Sequence, residues 1–218
     1  MKKNYLVVKI VFGLCAGIFA TSCISDTESP ILTEQLEKSV ALSEGTSGEE
    51  NLRKSREYNY LEKFSNEIGF IPDVANGWVA NAPAPAWYPG TGVGNATFMG
   101  KAYSFINQYA SFSPYGLSTV GAPVTQFYSN ELSDLGLVNI PDEVSSLTTD
   151  GKGNSVWYKN ILNRTTPSSS TRTDFTADVE IVGGTGKFEG ATGNGTVEGF
   201  FNPQDGKGST TLRASIVY

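Results

Sequence analysis

Residues 175–195 read FTADVEIVGGTGKFEGATGNG. The first part alternates: Phe175, Ala177, Val179 and Ile181 fall on one side of an extended chain, Thr176, Asp178, Glu180 and Val182 on the other. One buried face and one wet face is the mark of antiparallel sheet. The second part is broken by Gly183, Gly184, Gly186, Gly190 and Gly193 around Phe188. Glycines there supply positive-φ positions and close backbone approach where a strand turns sharply into its neighbour. Phe188 is then placed to plug a barrel end, and Ala191 to let backbones pack. A nucleotide loop does not fit. A P-loop needs Ser or Thr after Lys187, where Phe188 stands, and a dinucleotide fingerprint from Gly184 needs glycine where Glu189 stands.

The period of two recurs at the C-terminal end, where Leu212, Ala214, Ile216 and Tyr218 alternate with Thr211, Arg213, Ser215 and Val217. Further strands are expected over residues 96–105, 109–112, 124–128 and 155–162. Turn residues cluster at 113–116, 150–154 and 202–206. About eight strands with short turns and no long helix imply an all-β domain, a closed antiparallel barrel or a sandwich.

A family resemblance sharpens this. The run from Gly183 to Gly193 resembles the GGTGxFxGAxG hairpin of the allene oxide cyclase and dirigent-like β-barrels, bacterial relatives included. The run from Gly94 to Lys101 is similar to their early strand, and Ile216-Val217-Tyr218 to their last. The likeness covers residues 92–218 and implies an eight-stranded antiparallel barrel with an apolar interior. Members with known activities cyclise fatty-acid epoxides or guide radical coupling, and related barrels often dimerise or trimerise. The family's active residues lie away from the glycine hairpin and map onto no position here, so the resemblance carries fold further than function.

Composition narrows the chemistry. The 218 residues contain no histidine, which removes imidazole acid–base catalysis and His-containing zinc sites. The two cysteines, Cys15 and Cys23, both precede the domain, leaving it neither disulfide nor thiol nucleophile. A formal net charge of −6 without a basic patch argues against a nucleic-acid partner. No cofactor motif is present. Asp150-Gly151-Lys152-Gly153-Asn154 reads as a turn, since it does not match a calcium loop, and no metal is expected.

The N-terminus reads as an address. Lys2 and Lys3 precede an apolar run over residues 5–19, too short for a bilayer span. Ala20-Thr21-Ser22-Cys23 resembles a bacterial lipobox, in which the cysteine is acylated. The alternative is an ordinary signal cleaved after Ala16 or Ala20. The lipobox reading gives a signal peptide over 1–22, a lipid anchor on Cys23 and an outer-membrane location. The acidic run from Ser25 to Glu28 resembles surface-export signals of some lipoproteins. Residues 23–65 are acidic and poor in aromatics, and read as a tether or weak helix. Residues 66–218 then form the barrel.

An eight-stranded barrel is filled by side chains or holds one modest ligand. Trp157, Tyr103 and Tyr128 are the candidate pocket lining; Asp178 and Glu180 are expected in solvent. The leading functional expectation is a membrane-anchored barrel that binds a small apolar or aromatic molecule or serves as a surface interaction module. The alternative is a cyclase-, isomerase- or coupling-type enzyme acting by confinement and one carboxylate or tyrosine. An adhesive protein contacting glycans is a third.

Overall fold

A computed structural model describes residues 56–114 and 116–218. The signal peptide, Cys23 and all but the last residues of the expected tether lie outside the described residues.

Eight strands close into an antiparallel barrel. In order round the wall they are β1 (Glu57–Ile68), β4 (Gly90–Ala96), β5 (Gly100–Ile106), β8 (Ser146–Thr149), β9 (Ser155–Ser169), β10 (Arg172–Thr185), β11 (Thr192–Phe201) and β12 (Lys207–Val217), which pairs again with β1. Four further strands, β2 (Ile71–Pro72), β3 (Ala86–Trp87), β6 (Gln108–Ser113) and β7 (Gly116–Gly121), extend the wall from β9 through one bridge, Thr119 to Asn163.

Three sequence expectations are corrected. The barrel begins at Glu57, inside the segment read as tether. There Tyr58, Tyr60, Glu62, Phe64 and Asn66 turn inward while Glu57, Asn59, Leu61, Lys63 and Ser65 stay exposed. The alternation is regular, but a carboxylate and an amide on the inner row make it read as polar. Residues 96–105 are not one strand: β4 ends at Ala96 and β5 begins at Gly100, with a turn through Thr97, Phe98 and Met99 between them. Residues 124–128 open a helix, α1 (Thr125–Asp134). Val124, Tyr128, Leu132 and Leu135 recur at helical spacing, and the apolar side of α1 packs on the outward side chains of β5 and β8.

Two cores result. Inside the barrel, Tyr60, Phe64, Val156, Tyr158, Val179, Ile181, Phe188, Leu212 and Ile216 form one cluster. Outside it, Phe105 and Leu147 pack with Val124, Leu132, Leu137 and Val144 beneath α1.

The glycine turn closes one end. Gly186–Phe188 makes a single helical turn that drives the Phe188 ring, 0% exposed, into the barrel against Tyr60 and Tyr218. A Cβ on Gly184 would stand 2.2 Å from the Ser155 carbonyl oxygen, so no side chain fits at that crossing. Thr185 Oγ1 donates to Gly153 O at 2.9 Å and the Lys187 amide to Asn154 Oδ1 at 3.0 Å, which fastens the turn to the β8–β9 connection.

Candidate functional site

The barrel interior is graded. At the plugged end Phe188, Ile181, Ile216 and Val156 are sealed from solvent. At the far end the inward-facing Phe175, Phe201 and Thr210 are partly exposed, so this is the more open of the two ends. Asn66 links that end together: Thr210 Oγ1 donates to Asn66 Oδ1 at 2.9 Å, and Asn66 Nδ2 reaches Ser104 Oγ at 3.5 Å.

Midway stands Glu62, 5% exposed, a carboxyl enclosed by an apolar wall. Its position follows from β1: the inward row puts it between Tyr60 and Phe64, and pairing sets it beside Leu212 on one side and Ala96 on the other. Tyr60 Oη donates to Glu62 Oε1 at 2.9 Å, and Tyr158 Oη, from β9, donates to the same oxygen at 2.7 Å. Thr148 on β8 bonds to the carboxyl as well. Three strands, β1, β8 and β9, thus converge on one acid.

Burial pushes the Glu62 carboxyl above the ordinary carboxylate range; the hydrogen bonds from Tyr158, Thr148 and Tyr60 pull it down without cancelling that effect. Burial, and then the nearby Glu62 charge, raises both tyrosine hydroxyls. The tyrosines are therefore neutral donors at neutral pH. A carboxyl of this kind can accept a hydrogen bond from a bound molecule or hold a proton for one, and strongly perturbed acids in enclosed spaces are candidates for functional groups.

Sequence reasoning passed over Glu62 because it fell in the supposed tether. The signal was Tyr58-x-Tyr60-x-Glu62-x-Phe64, three aromatics at strand spacing with a carboxylate among them. The expected lining residues lie elsewhere. Trp157, Tyr103 and Tyr128 each pack against the cluster under α1, on the outside of the barrel. Strand parity explains it: β5 turns Ala102 and Ser104 inward, so Tyr103 faces out, and Tyr158 inward puts Trp157 out. Trp157 Nε1 is used by Ser155 Oγ at 2.8 Å. Among the glycines of the hairpin, Gly183, Gly184 and Gly193 lie in β10 and β11, while Gly186 and Gly190 flank the Phe188 turn with φ +62° and +71°. Glu180 is exposed, and Asp178, on the outer face, pairs with Arg164 at 3.4 Å.

Two depressions of ≈ 590 and ≈ 390 Å³ lie on the outer face of β10 to β12 and share Arg213. They are open to solvent, and their charged groups pair with one another, Arg213 with Glu198 and Arg172 with Asp174. The enclosed carboxyl is the stronger candidate.

No protein family, curated protein or solved structure matches the chain. What the fold establishes is a closed eight-stranded antiparallel β-barrel with an acid in its interior.

Proposed function

We propose that the protein is a lipid-anchored barrel, held at the outer membrane through Cys23, that takes a small apolar or aromatic molecule into its open end. The arrangement of Glu62 with Tyr60 and Tyr158 carries this reading. A largely apolar enclosure with a few convergent polar groups is the usual form of a small-molecule site, and aromatic rings at the mouth suit an apolar guest. The resemblance to the allene oxide cyclase and dirigent-like barrels supports the same reading.

The test is a fluorescence titration of the mature chain, with Cys23→Ser to keep it soluble, using cis-parinaric acid. Saturable one-to-one binding is expected, weakened at least tenfold by Thr210→Trp at the mouth. Absence of saturable binding, or binding indifferent to Thr210→Trp in a folded protein, rejects the reading.

The raised Glu62 carboxyl favours a second reading, a cyclase- or isomerase-type enzyme in which Glu62 passes a proton to a confined hydrophobic substrate. Here Glu62→Gln retains binding and loses turnover. Equal turnover by both proteins rejects a catalytic Glu62.

A further inference from the structure

The plugged end of the barrel carries an aromatic side chain that is packed on one side and open to solvent on the other. The turn between β4 and β5 places Phe98 at its tip with φ +65°, in the left-handed region that a bulky residue rarely adopts. The ring is 44% exposed. Its neighbour Gly100 occupies the same region of backbone space at φ +70° with nothing near its Cβ position. A glycine at 98 would meet the same backbone demand without strain. An exposed aromatic held in an unfavourable conformation is a reason to look for a role.

The surroundings indicate which role. Phe98 stacks edge-on against Tyr58 at 5.6 Å and Tyr218 at 6.0 Å between centroids, so a rigid aromatic base stands behind it. The Lys187 ammonium bonds to the Phe98 carbonyl, and Lys101 lies along the outside of β5 over Tyr103. Glu57 and Glu189 share this end, so it is amphipathic rather than strongly basic. The chain also enters the barrel here: β1 starts at Glu57, paired with Val217 beside the plug. One protruding ring is far too small for a specific protein interface, which needs about 1,000 Å² or more. A bilayer interface demands no shape complementarity and favours aromatic rings flanked by lysines that can reach the headgroups.

We infer that the plugged end is a membrane-contact face, with Phe98 inserted at the interface of the lipid bilayer and the open end turned away. The inference rests on the lipid-anchor reading of Cys23. It also makes that reading consistent with ligand entry, because the face laid on the membrane is the one without an opening.

The acylated protein is reconstituted into phosphatidylethanolamine–phosphatidylglycerol vesicles with brominated acyl chains. The native tryptophans set the background, and Phe98→Trp and Thr166→Trp each add one reporter. The expected result is strong quenching of the added signal at 98 and little at 166, which lies on the β9–β10 arm toward the open end. Equal, weak quenching at both positions overturns the inference. If mass spectrometry finds no acyl groups on Cys23, the anchor reading itself fails. The two variants are then coupled through Cys23 to a maleimide lipid in the same vesicles. Selective quenching at 98 keeps the contact face, and its absence removes it.

Discussion

The Tyr158 hydroxyl sits 2.7 Å from Glu62 Oε1, across the barrel and 96 residues along the chain. Tyr60, two residues before Glu62, donates to the same oxygen. The contact ties the first strand of the barrel to one in its second half at a point where water is scarce. Tyr60 still serves that oxygen when Tyr158 is lost, so the change removes one hydrogen bond, worth about 0.5–1.5 kcal/mol net. Tyr158→Phe should therefore destabilise the fold by about that amount, measured by urea unfolding, although it removes a single oxygen. A loss below about 0.5 kcal/mol would mean that the hydrogen bond is not made in solution.

The same carboxyl gives stability a pH dependence of definite sign. Burial raises Glu62 in the folded state, whereas the unfolded chain releases that proton near the ordinary value of about 4.3. Below the unfolded value both states hold the proton, and the stability associated with the neutral acid is fully present. As pH rises toward the folded value the unfolded state loses its proton first, so stability falls; above the folded value the loss is complete. Glu62→Gln cannot ionise and should lack this component. Melting temperatures of the two proteins should diverge from about pH 4 upward, with the native protein declining relative to the variant. Parallel curves over that range contradict the assignment.

The glycine hairpin should divide into tolerant and intolerant positions. A Cβ at Gly184 would lie 2.2 Å from Ser155 O and 2.8 Å from Phe188 O, both backbone atoms that cannot swing aside. Gly190, at φ +71°, has nothing within 4 Å. Gly190→Ala should cost about 1–2 kcal/mol, the penalty of the left-handed conformation. Gly184→Ala should cost more, by forcing β9 and β10 apart where they carry the Phe188 plug. Circular dichroism melts of the two variants would settle the order, and similar small losses would argue against the crossing.

A weak seam runs where β7 joins β9. Both amide atoms of Asn160, together with Asn163 Oδ1 and Thr119 Oγ1, are buried without a hydrogen-bond partner. An apolar side chain of similar shape avoids the cost of desolvating such a group. Asn160→Leu is expected to leave the melting temperature unchanged or raise it, since the backbone amide still bonds to Ser145 Oγ at 2.9 Å. A drop of several degrees would show that the amide is satisfied in solution.

How much of this was legible beforehand depends on the element. Over residues 175–181 of β10, and 212–218 of β12 and its end, the inward row is apolar and the outer row largely polar, so alternation alone identified them. The glycine run between β10 and β11 was legible because glycine has few uses at that density. β1 was not, because Glu62 and Asn66 occupy its inward row, and a strand whose buried side is partly polar resembles solvated chain. α1 was obscured by Val124, Thr125, Phe127 and Tyr128, residues that favour strands locally and are overruled by packing against β5 and β8. For the site, sequence offered Trp157, Tyr103 and Tyr128 as a pocket lining but could not say which side of the wall they face. Inside and outside differ by one residue of register.

The ¹³C resonance of the Glu62 side-chain carboxyl, followed by NMR from pH 4 to pH 8 with and without cis-parinaric acid, reads most directly on the proposed site. A midpoint well above the ordinary carboxylate range, displaced when the probe binds, is the predicted result. A midpoint near that of an exposed glutamate, unmoved by saturating probe, would contradict both the buried acid and its role in receiving a ligand.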